Sequence, residues 1–119
     1  MKKLFILLIL TLSTINLYAI DYYSNFVSRK EFVDNVWLDW TDWENCNIKI
    51  TVTDSTITVS DKTYQTKIVD KIDDYYSITT VYKVKSYQKD LYIRLRFQND
   101  GIKQLYINDV NVIYCYNLI

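Results

Sequence analysis

From Asn47 to the C-terminus, apolar and polar residues alternate in short runs, each broken by a polar pair or triplet. Period-two alternation marks a strand with one buried face, because successive side chains leave the backbone on opposite sides. "NIKITVT" sets Ile48, Ile50 and Val52 against Lys49 and Thr51, and Asp54-Ser55 turns the chain. "TITVS" repeats the pattern with Ile57 and Val59, Asp61-Lys62 turns it again, and "TYQTKIV" aligns Tyr64, Thr66 and Ile68. After "DKIDD", the run "YYSITTVYKVK" places Tyr76, Ile78, Thr80, Tyr82 and Val84 on one face. "LYIRLRF" is the cleanest, with Leu91, Ile93, Leu95 and Phe97 inward and Tyr92, Arg94 and Arg96 outward. "NDG" at 99–101 predicts a hairpin, because Gly101, the only glycine, takes a positive φ without a Cβ penalty. Strands at 102–107 and 110–117, parted by a turn at Asn108-Asp109, complete the series.

The stretch before Asn47 is less regular. A strand is expected near residues 20–27. "SRKEFVDNVW" reads as a capped helical turn, with Ser28 as N-cap and Glu31 three residues on, or as a loop. A short helical turn or loop across a barrel end is the expectation there. Turn signals this closely spaced leave no room for parallel crossovers, so neighbouring strands should be antiparallel. About eight strands in one open sheet would expose two edges and an apolar face. The fold class is therefore all-β, a single small antiparallel up-and-down barrel, lipocalin-like, or a two-sheet sandwich of about eight strands.

The head of the chain changes the domain boundaries. "MKKLFILLILTLSTINLYA" has a basic start, an apolar run from Leu4 to Leu12 and a polar stretch ending at Ala19, the layout of a secretory signal peptide. The run is shorter than the roughly 20 residues that span a bilayer, so cleavage after Ala19 and release are expected, with no stable membrane span. Residues 1–19 are then a signal peptide and residues 20–119 one β-rich domain, exported to the periplasm or beyond the cell. Losing Lys2 and Lys3 leaves twelve basic residues against fourteen acidic ones, a formal charge of −2. No global positive field remains for phosphate backbones, so nucleic acid is not an expected partner. Cys46 and Cys115, an even pair in an exported chain, suggest a disulfide. The alternative is two buried free thiols.

Candidate chemistry is sparse. The absence of histidine removes Ser-His and Cys-His pairs, and a single glycine leaves no phosphate-cradling loop. An enzyme is not expected, and neither is a cofactor or a metal site. "VWLDWTDWENC" places Trp37, Trp40 and Trp43 at three-residue intervals beside Asp39 and Asp42. These indoles can stack on a sugar ring or cage a cation while the acids accept hydrogen bonds. Large aromatics in so small a domain more commonly fill the core or plug a barrel end. A second candidate stripe is the outward row Tyr92, Arg94 and Arg96, whose ordinary alternative is ion pairing with acids such as Asp73 or Asp74.

"WTDWENCNIKITVTDSTITVSDKTYQTKIV", the Tyr-rich strand, "LYIRLRFQNDGIKQLYI" and "VIYCYNL" together resemble a group of small exported β-rich proteins of gut bacteria and the tailed phages that infect them. The likeness implies an exported β domain, and leaves open a bacterial gene or a phage-borne one whose product acts at the host envelope. It transfers no activity and no site residues. The functional expectation is a non-enzymatic domain that binds an envelope protein or glycan through either patch. The alternative is a small barrel carrying an apolar ligand in its lumen.

Overall fold

The structure, a computed structural model, describes residues 19–85 and 90–119 of the chain. The signal-peptide reading of residues 1–19 therefore lies, Ala19 apart, outside the described residues. The strands are β1 (Ile20–Val33), β2 (Val36–Trp37), β3 (Glu44–Val52), β4 (Thr56–Val59), β5 (Lys62–Asp73), β6 (Ser77–Val84), β7 (Tyr92–Gln98), β8 (Lys103–Asn108) and β9 (Val112–Leu118). Every pairing is antiparallel, and apart from β2 the strands neighbour one another in chain order. β9 returns to pair with β1, so the meander closes into a barrel-like ring, with β2 appended to the far end of β1. Closure removes the exposed edges that an open sheet of this size would present.

The turns explain how so short a chain closes. Asp34 and Asn35 both take positive φ, 52° and 64°, as a two-residue hairpin loop between twisted strands requires. Ser60, at φ 58°, makes the β4–β5 turn at Ser60-Asp61, one residue before the Asp61-Lys62 expected. In the β3–β4 turn Thr53 Oγ1 accepts the N–H groups of Ser55 (3.3 Å) and Thr56 (2.9 Å). Gly101 sits at φ 90° and its N–H donates to the Gln98 carbonyl at 3.0 Å, the three-residue loop that "NDG" announced.

The core follows the alternation. Ile50, Ile57, Ile93 and Leu105 are sealed from solvent, with Val52, Val59, Tyr82, Leu91, Leu95 and Ile107 nearly so. Phe97 packs against this cluster from its rim. These side chains pack together inside the ring.

Four expectations are corrected. The helical turn around Ser28–Trp37 is instead the upper half of β1 folding into β2, because β9 pairs with Ser28–Glu31 and the Asp34-Asn35 hairpin lets the strand run on. Ser28 caps no helix; its hydroxyl donates to the Thr41 carbonyl at 2.7 Å. Tyr76 does not point inward but lies exposed in the β5–β6 turn, edge to face with Tyr75 at 5.1 Å. Cys46 and Cys115 are free thiols rather than a disulfide. Cys46 keeps phase with Ile48 and Ile50 and lies 3.6 Å from Ser24 Oγ, on the core side. Cys115 alternates with the core-packed Tyr114 and Tyr116 and so faces the other way. The sheet stands between the two sulfurs.

Two bulges reset which residues face outward. In β5 the register slips between Ile68 and Asp70, so Thr66 and Ile68 oppose the core-side Val84 and Tyr82, while Asp70 and Ile72 oppose Val81 and Thr79 on the outer face. In β1 the slip between Ser24 and Phe26 leaves Ser24 inside opposite Leu118 and turns Ser28 outward opposite Cys115.

Thr66, 1% exposed, is the one buried side chain among the described residues whose polar atom has no hydrogen-bond partner. Thr66→Val keeps its shape and removes that hydroxyl, so it should raise unfolding stability by roughly 1 kcal/mol. Leu105→Ala should lower it by about 2–5 kcal/mol. Urea unfolding of both variants against the wild type measures the two effects.

Candidate functional site

The outer wall from β5 to β1 carries two cross-strand rows of side chains. One runs Val81, Arg94, Tyr106, Cys115 and Ser28; the other runs Ile72, Thr79, Arg96, Gln104 and Asn117. Strands lie about 4.8 Å apart, so the four steps from β6 to β1 span about 19 Å. The segment 38–43 caps the β1 end. Its backbone is tied to the edge of β1 by Leu38 N–H to the Glu31 carbonyl and Thr41 N–H to the Arg29 carbonyl, both 2.9 Å. Thr41 Oγ1 also accepts the Arg29 N–H at 3.0 Å.

This cap makes one wall of a cleft of about 290 Å³ in which Trp40 and Trp43 face Gln104, Tyr106 and Cys115. A second cleft of about 270 Å³ adjoins it, lined by Arg94, Arg96, Thr79, Ile72 and Asp74, and Tyr106 is common to both. Tyr106 stands between the two clefts and lines both, and together they make up the outer groove. The Trp40 and Tyr106 rings meet edge on at 6.3 Å, and the Arg94 guanidinium lies 4.7 Å over the opposite partner, the Tyr106 ring. Arg94 Nε also reaches Asn108 Oδ1 at 3.4 Å, and Lys30 Nζ stands 5.9 Å from the Trp40 ring. Such stacking holds a long cation in a narrow set of rotamers.

The polar groups have defined assignments. Tyr106 donates its O–H to Gln104 Oε1 at 2.7 Å. Asp74 Oδ1 accepts the N–H groups of Tyr76 and Ser77, both at 2.8 Å. Those two donors, Tyr76 first, hold the Asp74 carboxyl below the usual carboxylate range. Burial pushes the Tyr106 phenol up, with the Cys115 sulfur beside it adding to the shift. Burial likewise pushes the Cys115 thiol up to about 11, outweighing the opposing pull of Tyr106 and Arg94. A thiol this far from ionisation is a poor nucleophile at neutral pH.

The structure unites four of the candidate residues and separates the others. Trp40, Trp43, Arg94 and Arg96 line the groove. Trp37 turns away to pack on Phe32 at 5.1 Å. Asp39 and Asp42 are exposed outside the groove lining, and Tyr92 lies one row beyond it, opposite Lys83 and Asn108. None of the three indoles is a core plug; each is 40–50% exposed. The ion pairing expected between the Arg stripe and Asp73 or Asp74 does not form at contact distance, although Arg96 is near enough to Asp74 to add to the lowering of its pKa. Sequence reasoning missed Tyr106 and Gln104, whose positions follow from the "NDG" hairpin register that pairs them with Arg94 and Arg96.

No family model, no curated protein and no solved structure matches this chain. The groove has to be read from its own chemistry.

In the folded protein Cys115 should resist iodoacetamide at pH 8 and react only on unfolding, which peptide mapping after brief labelling would reveal. Its raised pKa also has a stability consequence. The thiol ionises more readily in the unfolded chain, so its share of the stability is intact below about pH 8.5 and is lost as pH rises through about 11. The alkaline loss of stability should be shallower in Cys115→Ala than in the wild type, measured by urea unfolding from pH 8 to 11.

Proposed function

We propose that the protein is a non-enzymatic binding domain that works outside the cytoplasm, at the cell envelope or beyond it, and that it holds a glycan in the outer groove. The observation that carries this reading is the convergence of Trp40, Trp43, Arg94 and Arg96 around Tyr106. Flat aromatic faces next to fixed hydrogen-bonding groups suit a sugar, whose rings offer an apolar C–H face and an edge of hydroxyls. A span of about 19 Å suits a short length of such a chain better than a single small molecule.

The export reading rests on the basic and apolar pattern of residues 1–19, and the likeness to small exported β-rich proteins supports an envelope setting. The groove favours a surface binder over a lumen carrier, because bulky core side chains occupy the interior while the groove is open.

Sedimentation with insoluble envelope polysaccharide, and capture from envelope extracts, would compare the wild type with the Trp40→Ala/Arg94→Ala double variant. Losing two central anchors should weaken retention by roughly thirtyfold or more with little change in melting temperature. Equal retention of the same material by both proteins would discard the groove.

A further inference from the structure

We infer that the glycan is anionic, a sugar chain whose carboxylate or sulfate groups are met by Arg94 and Arg96; this rests on the groove reading above and adds its charge specificity. The middle of the groove has donors to spare and few acceptors. Arg94 and Arg96 carry N–H donors alone, and no carboxylate among the described residues lies within ion-pair distance of either. Gln104 has its oxygen engaged by the Tyr106 hydroxyl, so its remaining capacity is mainly the two amide N–H donors. Asp74, the acid at the β5 end of the groove, already accepts two backbone N–H groups at one oxygen.

Some basic residues elsewhere in the fold are ion-paired. Arg29, Lys49 and Lys83 each lie beside an acid, Glu31 at 3.2 Å, Asp21 at 3.5 Å and Asp90 at 3.9 Å. The two groove arginines instead sit two residues apart on one strand face, about 6.7 Å along the backbone, with Tyr106, Asn108 and Gln104 beside them, Thr79 and Ile72 lining the same cleft, and the Asp74 carboxylate near Arg96 but beyond ion-pair distance. Stacking on Tyr106 fixes the plane of Arg94 and leaves its terminal nitrogens to make a two-pronged contact with an oxyanion. Trp40 and Trp43 then stand at the other side of Tyr106, placed for the ring face of the same or the adjoining sugar. A neutral glycan would leave the guanidiniums with hydroxyl partners only, a weaker match than oxyanions.

The fluorescence of Trp40 and Trp43 gives a direct readout. The purified protein is titrated with trigalacturonate, a sulfated galactotriose, plain galactotriose and a short single-stranded DNA. One or both anionic trisaccharides should bind at least about tenfold more tightly than plain galactotriose, with affinity falling as salt rises. The Arg94→Gln/Arg96→Gln variant, checked for an unchanged melting temperature, should lose that preference, and whichever anionic sugar binds identifies the group. Tighter binding of the plain trisaccharide, or binding equal to that of the acidic ones and abolished by Trp40→Ala, overturns the charge inference and leaves the glycan reading standing. DNA binding tighter than any sugar overturns the charge inference in favour of a nucleic-acid groove. No binding of any sugar, with the DNA also silent, defeats the glycan reading itself.

Discussion

β1 must serve both edges of the ring at once, and the rest of the molecule depends on it. Its first half pairs with β3, its middle with β9, and its far end with β2. A regular strand pairing this way would keep one set of alternate residues inside along its length. The slip at Asn25 breaks that rule, keeping Tyr22 and Ser24 with the core while sending Ser28 outward. The outward Ser28 gives segment 38–43 its anchor through Thr41, so the same irregularity that lets the strand close the barrel also builds one wall of the groove. At the opposite side the bulge at Val69 does the matching thing, turning Ile72 onto the outer face beside Thr79 and Arg96.

The groove thus belongs to the barrel wall, with loops only at its margins. Tyr106 and Cys115 sit at positions that a plain antiparallel sheet would give to solvent, yet Cys115 is buried beneath the tryptophan cap and its neighbours. Side chains held on paired strands lose less freedom on meeting a ligand than those on free loops, which lowers the entropy cost of binding. Arg94 is the clearest instance, because the Tyr106 ring on the next strand fixes it in the unbound protein.

Much of this architecture was legible in the residues, and the failures have a common cause. Clean alternation located the strands from Ile48 to Val59 and from Leu91 to Phe97, and "NDG" located a hairpin whose register pairs Arg94 with Tyr106 and Arg96 with Gln104. Working that register through would have revealed Tyr106 as the neighbour of the arginine stripe. What alternation cannot show is an extra residue that reverses it. The outward placing of Ser28 and Ile72 was missed because bulges at Asn25 and Val69 leave no mark in the hydrophobic pattern. The stretch "SRKEFVDNVW" carries a helix-start signature as well as a two-residue turn at Asp34-Asn35, and pairing with a strand some eighty positions later decided between them. Likewise, pairing two cysteines by their even count ignores which side of the sheet each occupies.

The free thiols also bear on what holds the ring together. With no bond between Cys46 and Cys115, closure depends on the β1–β9 ladder and on the core beneath it. Those strands come from opposite ends of the domain, so their pairing restricts the chain most and is rewarded only after the intervening meander has formed. Ser28 takes its place in the groove only when β9 lies against β1, because Cys115 and Tyr106 reach it through that ladder. The binding surface is therefore a property of the closed ring: a meander lacking its last pairing would still present Arg94, Arg96 and Tyr106 on neighbouring strands, but without the tryptophan wall that faces them.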